Sequence, residues 1–228
     1  VERHPHIGGR GPATRALLGA TDGLIEALAA SVALNLAGVE YRAILIAGLA
    51  LALGGALSLF QGSYVSSRLE LDLLREDVQR EAMEIETEPE EERRELEELL
   101  SKEGYSQKEI GVMMKRITSD RELWLRTQLL HELHLHIDEL RRSPGKEGAI
   151  AGASFFASAA LLLLPYLLLA PRAVALIATT VGAILALFVM GATGLVSTKI
   201  YSLKRGLQIA LTGAAVAGIV FLLGSLLA

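Results

Sequence analysis

Ala43 to Glu88 reads AILIAGLALALGGALSLFQGSYVSSRLELDLLREDVQREAMEIETE, an apolar run that passes into an acidic one with no proline before Pro89. No Asp, Glu, Lys or Arg occurs from Ala43 to Phe60. About 20 mostly apolar residues cross the roughly 30 Å of hydrocarbon in a bilayer, so the stretch predicts a membrane helix. Nothing stops it at Ser66, Ser67 or Arg68, so the acidic residues Glu70–Glu88 are expected to continue the same helix as a rigid stalk. At a rise of about 1.5 Å per residue, Glu81 and Glu84 then stand some tens of ångströms along it.

The rest of the chain shows the same segregation of charge. With 51% hydrophobic and 21% charged residues and a mean hydropathy of +0.41, it is too apolar for a soluble domain and too charged for membrane spans alone. Ala149 to Val196 contains one charged residue, Arg172. Five spans are predicted: Thr14–Gly38, Ala43–Ser66, Ala149–Ala170, Arg172–Val196 and Leu207–Ala228. The expected fold is an all-α membrane protein with a three-helix insert between spans two and three. Its segments are 1–67 (spans one and two), 68–147 (the insert) and 148–228 (spans three to five).

Several classes are excluded. The net charge of −4 hides an acidic middle, and no basic stripe or aromatic platform suits nucleic acid. The absence of cysteine removes disulfides, thiolate zinc sites and cysteine catalysis. The opening Val1-Glu2-Arg3-His4 and the full-length span after it lack the short apolar core of a signal peptide, so span one is expected to be retained, behind a trimmed or processed N-terminus. Arg10, Arg15, Arg68, Arg141, Arg142, Lys146, Lys199, Lys204 and Arg205 fall on one side of five spans, against Arg42 and Arg172 on the other. The positive-inside rule then places the N-terminus and the insert in the cytoplasm, in the cell membrane if the source is prokaryotic.

Within the insert, Pro89 suits the first turn of a second helix, Glu90–Glu103, ended by Gly104. Ser106 to Glu109 and Ser119 to Glu122 read as capping boxes for a short helix and a longer one ending near Ser143-Pro144-Gly145. Asp77, Glu81, Glu84 and Glu88 share one face of the stalk, and Glu92 and Glu95 form an i, i+3 pair on the next helix. A solvated acidic face is the plain reading. Against it, only Arg93 and Arg94 offer positive charge between Glu81 and Leu100, and a negative field at a pore mouth concentrates cations.

His131, Glu132, His134 and His136 form a second candidate group. It is not a zincin motif, because Leu135 stands where HExxH needs histidine. Imidazole beside carboxylate suits a borderline ion such as ferrous iron, cobalt or zinc. In span one, Asp22 and Glu26 lie one turn apart, with Asp22 about eight residues, or roughly 12 Å, into the span. An ionisable group at membrane depth costs several kcal/mol unless it meets a cavity, a partner or an ion. A carboxylate pair in low dielectric holds a proton or a cation in alternation, as an exchanger requires. Gly54, Gly55, Gly182, Gly191, Gly194, Gly213 and Gly218 are expected at helix contacts.

These residues together resemble the vacuolar iron transporter family over nearly the whole chain. The resemblance is carried by Asp22-Gly23-Leu24, by Ser58, Gly62 and Tyr64-Val65-Ser66, by Glu81, Glu84, Glu92, Glu95, Trp124 and Glu132-Leu133, by Phe155 and Pro165, and by Leu203 to Leu211. It implies a five-span homodimer in membrane lipid that exports cytosolic ferrous iron by proton antiport, with a cytoplasmic metal-binding domain between spans two and three. It also implies that Glu81, Glu84, Glu92, Glu95 and Glu132 are metal ligands and that Asp22 is the pore carboxylate. The chain departs from the family pattern at Leu59, Gln128 and Leu129, which stand at methionine positions, at Gly11 in place of a glutamate, and at Ala27 in place of proline after the unexpected Glu26. Oxygen thereby replaces sulfur, with Gln128 and His131 as further ligand candidates, so manganese, cobalt and zinc compete with ferrous iron as the cargo. The alternative is a membrane-anchored metal sensor or store with an inactive pore, motivated by Leu59. An enzyme with a carboxylate-bridged metal pair ranks last, because the insert has no Glu-x-x-His.

Overall fold

The computed structural model describes residues 11–132, 140–168, 171–193 and 202–227. Eight helices and no strand occur among them: α1 (Pro12–Leu36), α2 (Tyr41–Thr87), α3 (Pro89–Lys102), α4 (Gln107–Ile117), α5 (Arg121–His131), α6 (Pro144–Leu168), α7 (Arg172–Thr193) and α8 (Leu203–Leu227). Five of them, α1, α2, α6, α7 and α8, are long and apolar enough to cross a membrane. The chain is an all-α integral membrane protein. It divides into two compact units, one formed by Val1–Tyr64 with Gly145–Ala228 and the other by Val65–Pro144.

Close helix contact through glycine positions α1 in the membrane unit. A Cβ at Gly19 would strike the carbonyl of Ala151, and one at Gly23 would strike the carbonyl of Phe155 and the Ser158 hydroxyl. The two glycines, one turn apart, therefore let the backbones of α1 and α6 touch. Of the glycines expected at contacts, Gly55, Gly191 and Gly213 pack closely, whereas Gly54, Gly182 and Gly218 have open space where a Cβ would stand, and Gly194 lies outside the described residues. Periodicity gave no signal for Gly19, Gly23, Gly148 or Gly152, which do pack.

Polar clamps hold both ends of α1. Near its start Arg15 forms an ion pair with Glu147 at 2.5 Å and donates to Ser63 Oγ at 2.9 Å. At its other end Arg172 donates to Asn35 Oδ1 at 2.8 Å and to the Leu34 and Asn35 carbonyls, and Asn35 Nδ2 donates to the hydroxyl of buried Tyr166 at 2.6 Å. A cation on the last carbonyls of a helix opposes the negative end of its dipole, which explains why one arginine is retained in an otherwise uncharged stretch. Pro165 has no N–H for the Leu161 carbonyl, and at the neighbouring carbonyl, that of Leu162 in the turn before the proline, Thr179 Oγ1 of α7 donates at 3.1 Å.

The second unit has its own core: Ile85 of α2, Leu96 and Leu100 of α3, Ile110, Met114 and Ile117 of α4, and Trp124 of α5. Its turns follow the expected chemistry with one change. Pro89 opens α3, and Gly104, at φ +99°, ends it with Gly104 N–H on the Ser101 carbonyl and Tyr105 N–H on that of Leu100. Ser106 and Glu109 form the capping box of α4. For α5, however, the cap is Asp120 rather than Ser119. Its Oδ1 accepts from the N–H groups of Glu122 and Leu123, a shorter reach than the box expected from Ser119. Pro144, expected at the end of the last insert helix, is the first residue of α6, where its missing N–H costs nothing. That helix therefore starts ahead of the expected Ala149.

Candidate metal centre

The core of the acidic unit leads to its carboxylates by helical register. Glu81 lies one turn before Ile85, Glu92 one turn before Leu96, and Gln128 and Glu132 one and two turns beyond Trp124. Residues four apart share a helix face. Each stripe that buries an apolar anchor therefore carries its polar residue into the same interior. Glu81 is 2% exposed, Glu92 5% and Gln128 0%, a degree of burial that acidic residues rarely reach without a partner.

There the three glutamates meet. Glu81, Glu92 and Glu132 each offer an oxygen within 4.8 Å of the others. Two oxygens bound to one ion at about 2.0–2.2 Å stand at most about 4.4 Å apart, and less when they are not on opposite sides of it, so the trio would draw together around an ion. Gln128 Nε2 donates to Glu92 Oε2 at 2.8 Å and to Glu132 Oε2 at 3.2 Å. Glu81 Oε1 and Gln128 Oε1 are buried with no hydrogen-bond partner. A buried orphan acceptor costs about 1–3 kcal/mol, and a cation among the carboxylates would satisfy that of Glu81.

Titration expresses the same crowding. Burial first, then the charges of Glu132 and Glu92, push the Glu81 carboxyl up to about 8. Burial also raises Glu92, and burial with the neighbouring charge of Glu132 raises Glu95. Glu84 and Glu95 are not in the trio: Glu84 is half-buried, Glu95 is exposed, and both act on it through their charge. His131 turns to another carboxylate, with Nδ1 2.7 Å from Glu103 Oε1. His134 and His136 lie outside the described residues.

The membrane carboxylates have a different setting. Asp22 and Glu26 are both exposed on α1, one residue before buried Gly23 and half-buried Ala27, which pack toward Phe155 of α6. Glu26 borders a narrow cleft with Ser31, Leu34, Ile44 and Phe155, and its Oε2 would lie 3.3 Å from a Cβ at Gly55. Leu59 packs against the apolar cluster of Ala52, Phe155 and Ala159. The clamps formed by Arg15, Ser63 and Glu147 and by Asn35, Tyr166 and Arg172 were not foreseen. Only the isolation of Arg172 in an uncharged stretch hinted at one of them.

Fold and site together define a five-span helical membrane protein with an internal carboxylate cluster of metal-ligand spacing. The chain belongs to the VIT family, whose profile matches residues 14–225. It is 33% identical over 165 residues to vacuolar iron transporter 2 of Oryza sativa subsp. japonica, covering 72% of this chain and 66% of that one. It is 29% identical over 198 residues to the vacuolar iron transporter of Centaurea cyanus, with 87% and 80% covered. Vacuolar iron transporter 1 of Arabidopsis thaliana is 29% identical over 175 residues, with 77% and 70% covered. These relatives are named as transporters, not enzymes.

Proposed function

We propose that the protein moves divalent metal, ferrous iron first among the candidates, out of the cytosol in exchange for protons. The observation that carries this reading is the trio of buried Glu81 and Glu92 with half-buried Glu132, beside the unpartnered oxygens of Glu81 and Gln128, in a chain whose relatives are named iron transporters. In this reading the acidic unit faces the cytosol and captures metal, with Glu84 and Glu95 raising the local negative potential at its rim. Asp22 and Glu26 then pass the ion through the membrane.

A homodimer supports the second step. In one protomer Asp22 and Glu26 lie on an exposed face of a membrane helix, and an ionised carboxylate against lipid costs several kcal/mol. A second copy laid against α1 removes that cost and lines a path with two carboxylate pairs. Oxygen donors without methionine leave manganese, cobalt and zinc as competing cargo.

The deciding experiment is metal-dependent proton flux in proteoliposomes. Ferrous iron entry coupled to opposite proton movement, lost in Asp22→Asn, is the expected result. Tight metal binding without flux of either ion would instead favour the membrane-anchored sensor or store.

A further inference from the structure

Gln128 is completely buried, yet only half of its amide is satisfied. Both hydrogens of Nε2 are engaged, one by Glu92 Oε2 and one by Glu132 Oε2. Oε1, on the same trigonal carbon, has no partner. Buried amides ordinarily satisfy both ends. Here the donor end sits inside a carboxylate cluster and the acceptor end is idle.

Electrostatics explain the choice. Three carboxylates crowd within 4.8 Å, and the amide hydrogens supply partial positive charge to two of them. A metal ion entering the trio reverses the preference, because those hydrogens would then compete with it for the same lone pairs. A half-turn about the last side-chain bond exchanges nitrogen and oxygen with almost no change of shape, since such terminal torsions are broad and two-fold. The turn brings the idle oxygen onto the ion. It also moves the nitrogen to a place where the oxygen had found no partner, so an empty site gains nothing by it. Only an ion makes the turn worthwhile.

We propose that Gln128 is a built-in cation surrogate: its amide bridges Glu92 and Glu132 while the site is empty, and turns over when a divalent ion enters to lend Oε1 as a neutral fourth ligand. This deepens the reading of the trio as a cation site and rests on it. It also makes position 128 a selectivity residue. A neutral hard oxygen serves manganese and ferrous iron well, whereas a thioether in its place would favour softer ions.

The test uses the full chain in lipid nanodiscs, titrated by calorimetry with manganese and with zinc, and a structure determined with manganese bound. Gln128 Oε1 is expected about 2.0–2.3 Å from the ion, the range for oxygen ligands of first-row metals. Gln128→Met is expected to shift the manganese-to-zinc affinity ratio toward zinc by about tenfold or more. Should that variant lose the fold of the acidic unit, Gln128→Glu carries the test, since it keeps an oxygen at the same reach and should hold manganese at least as tightly as the parent. If the metal-bound structure leaves Gln128 hydrogen-bonded to Glu92 and Glu132, or if Gln128→Met weakens both metals equally, the amide is only a brace. The surrogate idea then falls while the metal reading stands. A parent chain that binds neither ion removes both.

Discussion

Glu81 concentrates the chemistry of the acidic unit in one side chain. Its carboxyl is held at about 8 against an ordinary 4.5, so between those values the folded chain binds a proton that the unfolded chain has lost. Stability of the metal-free unit therefore falls as pH rises from about 4.5 to about 8. Glu81→Gln should make that slope shallower, Glu92 and Glu95 supplying the remainder, read as pH-dependent hydrogen exchange in the amides of α3 to α5. Metal has the opposite demand, because a ligand carboxylate must be deprotonated. Metal binding at pH 7 should therefore release about one proton per ion, falling toward none above about pH 9, as measured by calorimetry in buffers of different ionisation enthalpy. Release that does not change with pH would place the ion elsewhere. The trio also separates two residues that share a stalk face. Glu81→Ala should remove binding in the acidic unit, while Glu84→Ala, which lies outside the trio, should weaken it only through lost charge and lose that effect in high salt.

At the level of helices, sequence and structure agree where local chemistry decides and part where tertiary contact does. Pro89, Gly104 and the Ser106 to Glu109 box are local signals, and each sits where its type predicts. Length and hydropathy located the five spans, whose ends moved by a few residues because a proline such as Pro144 reads equally as the end of one helix or the start of the next. The trio was half legible. Helical spacing puts Glu81, Glu84, Glu92 and Glu95 on acidic faces, but which of them turns inward depends on how the stripes carrying Ile85, Leu96 and Trp124, on three different helices, pack against one another, and no single-helix pattern contains that. The α1–α6 contact was hidden for the same reason. Because Gly23 faces the Phe155 carbonyl, part of a backbone that cannot rotate aside, Gly23→Leu should cost about 1–3 kcal/mol or more. A lowered midpoint in thermal unfolding of the detergent-solubilised chain checks it, with Gly54→Leu, where space is open, as the unaffected control.

Across the whole molecule, the proposed ion path depends on what covers the exposed carboxylate face of α1. Leu18, Asp22 and Glu26 recur one turn apart on that helix, and all three are exposed in the single protomer. If a second copy covers them, Leu18 approaches its own counterpart, because residues near a two-fold axis meet themselves. The chain contains no cysteine, so Leu18→Cys introduces a single thiol into an otherwise silent background. Oxidation in native membranes should give a disulfide-linked dimer, as the bond forms only when the two Cα atoms come within about 7 Å. Glu26→Cys, further along the same face, tests whether the contact continues past Asp22. A monomer in both cases would leave Asp22 facing lipid or another partner and would end the shared-path reading. With the contact established, Asp22→Asn should abolish metal flux while the cross-link still forms, and Glu26→Gln should shift the pH dependence of flux if the two carboxylates titrate as a pair. A cross-linked Asp22→Asn dimer that still transports at the parent rate would put the ion's route outside α1 altogether.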